Sequence, residues 1–193
     1  MPSPRSHKLL HAAIAGACLV GALAGAPVAG AQVPPTSGGA TFVPPPPPPK
    51  KAKLVDGRVI APASAPTRVK RVIAAANRIV EKPYVYGGGH KPFVKGQLDR
   101  GYDCSGAVSY ALYGGRFLTS PLPSGAMMSW ARPGPGRWIT VYAHGGHAYV
   151  VVAGLRFDTS LRDPDAPGPT TGPRWSRTLR ESAAFVARHP RGY

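Results

Sequence analysis

Cysteine is scarce in this sequence, with only Cys18 and Cys104 in 193 residues. That leaves little to form the disulfides that normally staple small exported domains. A zinc site is disfavoured on the same ground, because the histidines have neither a second cysteine nor a closely spaced His/Glu pair beside them. His144 and His147 lie three apart and, read along one strand, point to opposite faces. No metal and no cofactor is expected. Acidic residues are few as well, 8 against 24 Lys and Arg, for a net charge of +16. Long apolar runs are missing: the stretch Leu9 to Ala26 is short for crossing a bilayer and rich in Gly and Ala. Internal repeats are also missing, which excludes a sugar-binding or wall-anchoring array.

The first 31 residues have the three-part layout of a secretory signal. Arg5, His7 and Lys8 form a basic start, the apolar run follows, and Pro27 breaks it. Ala29-Gly30-Ala31 then supplies the small residues of a cleavage site before Gln32. An uncleaved anchor is the alternative. Lipid modification at Cys18 is disfavoured, since Ala15-Gly16-Ala17 lacks the leucine usual before such a cysteine. Cleavage removes Cys18 and leaves Cys104 as a lone thiol, either an intermolecular bridge or a reactive group. Arg5 and Lys8 carry the segment's only formal charges, so +14 stays with the remainder. A secreted or wall-located chain of that charge meets anionic wall polymers or a membrane surface rather than nucleic acid. A solvated basic surface without a specific partner is the plainer alternative.

Residues 32–66 are read as a Pro-rich disordered linker, because six consecutive prolines, Pro44 to Pro49, favour an extended helix without internal hydrogen bonds. The domain is placed at 67–193. Val69, Val72, Ile73, Ala76 and Val80 recur at helical spacing, predicting a helix up to Glu81 that Pro83 stops. A second helix opens at Asp103-Cys104-Ser105, buries Ala107, Val108, Ala111 and Leu112, and ends at Gly114-Gly115. The stretch Leu118 to Gly136 reads as a loop or lid. Strands follow at Trp138–Tyr142, His147–Ala153 and Leu155–Thr159, with Ala153-Gly154 as a hairpin turn. Residues 184–188 are a last strand or, alternatively, part of a helix from Leu179. Helices first and an antiparallel sheet afterwards make an α+β domain.

Cys104 opens a helix, where unpaired backbone N–H groups and a partial positive charge stabilise a thiolate. Asp103 is the natural N-cap of that helix. The Cys104 N–H is also placed to help hold an oxyanion. A buried structural cysteine is the alternative. His147 follows Gly145-Gly146 and enters the best strand, a suitable seat for a base. With a two-residue turn at Ala153-Gly154, Tyr149 faces Asp158 and His147 faces Ser160. His147 and Asp158 then lie on one face as diagonal neighbours, so Asp158 can orient the imidazole. A register slip of one residue would put Thr159 there instead.

Tyr84-Val85-Tyr86-Gly87-Gly88, then Asp103-Cys104-Ser105-Gly106, then Gly146-His147 entering a Val-rich strand together resemble the NlpC-type cell-wall peptidases, bacterial relatives of papain. The resemblance spans about Val69 to Ser160 and rests on the order of the three motifs. It implies a papain-like core with N-terminal helices packed on an antiparallel β-sheet, and a monomeric cysteine peptidase cutting amide bonds of peptidoglycan stem peptides through a thioester. It also implies that Tyr84 stands near the oxyanion and that a polar residue on the following strand, here Asp158, orients the histidine. Three departures stand out. Residues Gly89 to Tyr102 form a longer insertion, expected to rim the substrate. Trp138-Ile139-Thr140-Val141 replaces a Gly-Asp signature, and an acid stands where a histidine is more common. Trp130, Trp138 and Tyr149 are candidate groove residues, or else plain packing aromatics. Two other functions stay open: an inactive wall-binding or scaffolding domain, and a thiol amidase or acyltransferase.

Overall fold

The computed structural model describes residues 51–161 and 171–193. The expected signal segment, and the linker up to residue 50, lie outside the described residues. In chain order the elements are β1 (Lys53–Val55), β2 (Arg58–Ile60), α1 (Thr67–Asn77), α2 (Cys104–Gly114), α3 (Ser124–Met127), β3 (Arg132–Pro133), β4 (Ile139–His144), β5 (His147–Val152), β6 (Leu155–Asp158), β7 (Arg174–Ser176) and β8 (Val186–His189). The last six form one antiparallel sheet in the order β3-β8-β4-β5-β6-β7. The class is α+β.

Helix α1 buries Val69, Val72, Ile73 and Ala76, the stripe its spacing predicts. It ends earlier than Glu81. Beyond Asn77 the chain continues in tighter turns, with Arg78 N–H donating to Ala75 O (3.1 Å) and Ile79 N–H to Ala76 O (3.0 Å). Ile79 and Val80 stay buried through these turns. Helix α2 crosses α1 closely: a Cβ at Gly114 would lie 2.3 Å from Ala75 Cβ, so glycine is required where the two meet. Val108, Ala111 and Leu112 of α2 share one core with Val141, Val150, Val152 and Phe157 of the sheet.

The β5–β6 hairpin adopts the predicted register, Val152 opposite Leu155 and Val150 opposite Phe157. Its turn residues Ala153 and Gly154 both have positive φ, +48° and +83°, the conformation that matches the twist of a two-residue hairpin. Residues 186–189 are a strand rather than a helix, because β8 fills the place between β3 and β4 and pairs with both. Strand β7, which no sequence expectation marked, pairs with β6 and buries Trp175.

Four sequence expectations need correction. Residues 51–66 are not featureless linker: Asp56-Gly57, with φ of +47° and +72°, closes the β1–β2 hairpin. Its Val59 docks on the end of α1, where Asn77 Oδ1 accepts from Val59 N–H (3.0 Å) and Asn77 Nδ2 donates to Val59 O (2.9 Å). Trp138 and Tyr149 cannot line a groove, being 8% and 1% exposed. Tyr149 is covered by Tyr142, stacked at 4.9 Å, and by Phe185 at 5.1 Å. His144 and His147 do not point apart. Gly145-Gly146 is itself a hairpin turn, so they are cross-strand partners with ring centroids 6.4 Å apart. Finally, the insertion after Gly89 is not all rim: His90 stays beside Asp103, but Phe93 lies away from Cys104, stacked on Tyr113 at 4.2 Å. Tyr113 is nine residues, about 13 Å, along the helix.

Candidate active site

Asp103 caps α2 in extended conformation, and its Oδ1 accepts from Gly106 N–H at 2.7 Å. Its Oδ2 accepts from Gly87 N–H at 3.1 Å, while Asp103 N–H donates to Gly88 O at 3.1 Å. One residue therefore starts the helix and ties the Gly-rich turn against it. The approach is close enough that a Cβ on Gly106 would sit 2.1 Å from Gly88 O. Two of the three sequence motifs are thus one physical object: a helix mouth with a glycine strap across it.

Cys104 stands at that mouth, half-buried and free of any disulfide. Burial pushes its thiol up, but a hydrogen bond with His147, a second from the Ala148 N–H and the His147 charge together bring it below the usual thiol range. His147 shows the complementary shift. Burial disfavours its charged form, yet hydrogen bonds with Asp158 and Cys104 raise it to about 9. The two shifts reinforce each other and favour the thiolate–imidazolium form of the pair.

Asp158 receives His147 Nε2 at 2.9 Å, which leaves Nδ1 for the sulfur. Its side chain is fully buried. Burial raises its pKa, and the hydrogen bonds from His147 and from Ser160 N–H and Oγ outweigh that, so it stays ionised. The other oxygen faces two guanidinium groups, Arg156 Nε at 3.7 Å and Arg180 Nη1 at 3.6 Å. Arg180 also donates to Ser160 Oγ at 3.0 Å, and its guanidinium lies 5.1 Å from the Phe185 ring centroid. Phe185 in turn sits against the edge of His147 at 6.3 Å. The segment carrying Arg180 and Phe185 forms one wall of the site, and sequence reading missed it. Nothing in the local pattern marks these residues; only the placement of β8 brings them back.

Tyr84 is 41% exposed and joined to Tyr102 by a parallel bridge. Burial raises its pKa, and the charges of Cys104 and Asp103 add to that, which places it within electrostatic reach of the sulfur. Trp130 is half-buried and packs against the core. His90, unassigned from sequence, puts Nε2 3.0 Å from Asp103 Oδ1 and 3.2 Å from Ser105 Oγ. It supports the cap from behind.

No protein-family model and no curated protein sequence matches the chain. Among solved structures it is similar to a P60 domain. That domain belongs to an antigen of M. avium subspecies paratuberculosis, with 23% identity over 63% of this chain and 93% of that one, at a TM-score of 0.45. A hypothetical invasion protein of Mycobacterium tuberculosis matches at 20% identity over 73% of this chain and 69% of that one, with a TM-score of 0.44. The resuscitation promoting factor interacting protein RipA, in a cysteine-mutated form, matches at 21% over 63% and 62%, with a TM-score of 0.43. At such distances the chemistry is read from the residues of this chain.

Among the described residues no group of three His, Cys, Asp or Glu side chains converges as a metal site would require.

Proposed function

We propose that the chain is an exported cysteine peptidase that hydrolyses amide bonds in peptidoglycan stem peptides. The observation that carries the hydrolytic part is the line Cys104–His147–Asp158, with the sulfur at a helix mouth and the imidazole held at 2.9 Å by a buried carboxylate. The stem-peptide substrate comes from the motif resemblance and from the export signal read in the first 31 residues.

The steps follow from the residues. The Cys104 thiolate attacks the amide carbonyl carbon, and the resulting oxyanion takes hydrogen bonds from the Cys104 N–H and the Tyr84 hydroxyl. Collapse breaks the C–N bond, and the His147 imidazolium gives its proton to the departing amine. A water then loses a proton to His147 and attacks the thioester, which releases the carboxylic acid and returns the thiolate–imidazolium pair. Asp158 keeps the imidazole oriented throughout, with Nε2 bound and Nδ1 toward the sulfur.

Incubation of the protein with purified peptidoglycan, followed by mass spectrometry of soluble fragments, tests this. Release of stem-peptide fragments that stops in Cys104→Ala is expected. Fragment release unchanged in that variant would reject the mechanism, and wall binding without release would favour a scaffolding role.

A further inference from the structure

The middle of the insertion that departs from the family pattern lies away from Cys104, and there it builds a second feature. It lies over the C-terminal half of α2 and, with α1, encloses a groove of about 240 Å³. Arg71 lines it from α1 and Arg78 from the residue that caps α1, seven positions on and about 10 Å along the same helical path. Between them Ala74 presents only a methyl group. Lys95, from the insertion, contributes a third cation; the buried Tyr110 and the half-buried Tyr113, which is stacked on Phe93, form the floor. No acidic residue lines the groove. Arg78 is held in place by donating to Gly96 O at 3.4 Å. Arg71 and Lys95 are exposed, and among the described residues their side chains have no hydrogen bond or ion pair.

We propose that this groove binds a phosphodiester polymer as a single strand. Three cations with no carboxylate among the lining residues form a positive field, and guanidinium groups match phosphate oxygens in paired hydrogen bonds. The separation of Arg71 and Arg78 gives two anchoring points along one strand. A flat membrane does not reach cations set in a concave groove as readily as a flexible chain does. The site lies near the end of α2 opposite the sulfur, so binding and hydrolysis are separable and neither reading depends on the other.

The test uses the full chain and poly(glycerol phosphate), with binding followed at several salt concentrations. A triple variant Arg71→Gln/Arg78→Gln/Lys95→Gln is compared with a control triple, Lys51→Gln/Lys53→Gln/Arg177→Gln, on a separate basic surface. Circular dichroism and thermal melts establish that both variants are folded. The groove variant is expected to lose roughly tenfold or more in affinity at low salt and to reduce the slope of log K against log salt by about 2, while the control changes little. Equal losses in the two variants would overturn the proposal in favour of diffuse surface charge. Unaltered polymer binding in the groove variant would also overturn it, as would loss confined to phosphatidylglycerol vesicles, which carry the same phosphodiester on a lipid.

Discussion

At Cys104 two opposing effects meet: partial burial, which favours the neutral thiol, and an imidazolium hydrogen bond with a backbone N–H, which favours the anion. The second wins because Asp158 holds His147 charged up to about pH 9. Alkylation of Cys104 by iodoacetamide, followed in a Cys18→Ser background, should therefore proceed at lower pH than that of a free thiol. Hydrolysis should rise as pH passes the lowered thiol pKa and fall above about 9, when the imidazole loses the proton it must donate. Asp158→Asn should lower kcat by about 10²–10⁴-fold with little change in KM, because the imidazole loses its fixed tautomer and its charge support. Acid stability follows the same residue. A carboxyl whose folded pKa lies below its unfolded one stabilises the protein above the unfolded value, and that contribution disappears as pH falls through the depressed folded value. Melting temperature measured between pH 5 and 2 should fall more steeply for the parent than for Asp158→Asn. Asp158 was legible from sequence because a two-residue turn lies only four residues before it. Arg180 was not, since no local spacing links residue 180 to residue 158; the sheet order does.

Helix α2 and the β5–β6 hairpin position the chemistry, and both have strong local signals. The helix carries its own cap, Asp103, and its own stop at Gly114-Gly115. The hairpin carries a turn whose positive-φ pair sets which residues share a face. The Gly145-Gly146 turn has the same logic, but in sequence His144 to His147 also reads as one continuous strand. Adjacent glycines without a turn-forming Asn or Asp give two readings, and only the pairing of Ala143 with Ala148 decides between them. The aromatic residues failed for a different reason. Whether Trp138 or Tyr149 meets solvent depends on what covers the sheet, and Phe185 comes from far along the chain. At this scale Gly106 is the vulnerable position. Alanine there would force its methyl group into the Gly88 carbonyl, costing about 1–3 kcal/mol and displacing the strap from the helix mouth. Gly106→Ala should melt several degrees lower than the parent in a thermal scan and should also slow Cys104 alkylation, whereas Gly125→Ala, open to solvent, should do neither.

Across the whole domain, the ends of the described chain are tied by one side chain. Asn77 Oδ1 accepts from both Val59 N–H and Trp175 Nε1, the latter at 2.9 Å, joining the first hairpin, α1 and β7. Asn77→Ala would leave these buried donors unmatched at a cost of about 1–3 kcal/mol. A chain beginning at Thr67 should likewise melt below one beginning at Lys51, measured by calorimetry. The proline run obscured this in the sequence, since its composition dominates a window that also contains Asp56-Gly57. Charge is distributed with a similar economy. The six acidic residues among those described include Asp103 at the helix cap, Asp158 behind the imidazole, Asp99 accepting from the Gly89 N–H, Glu81 paired with Arg58, and Glu181 accepting from its own loop. Nearly every carboxylate has a local task, so little negative charge is left to repel other anions. Inside a dense anionic mesh such a molecule travels by repeated capture and release. Its range there would be governed by ionic strength more than by its size, and dilution of the surrounding medium would hold it close to where it first arrived.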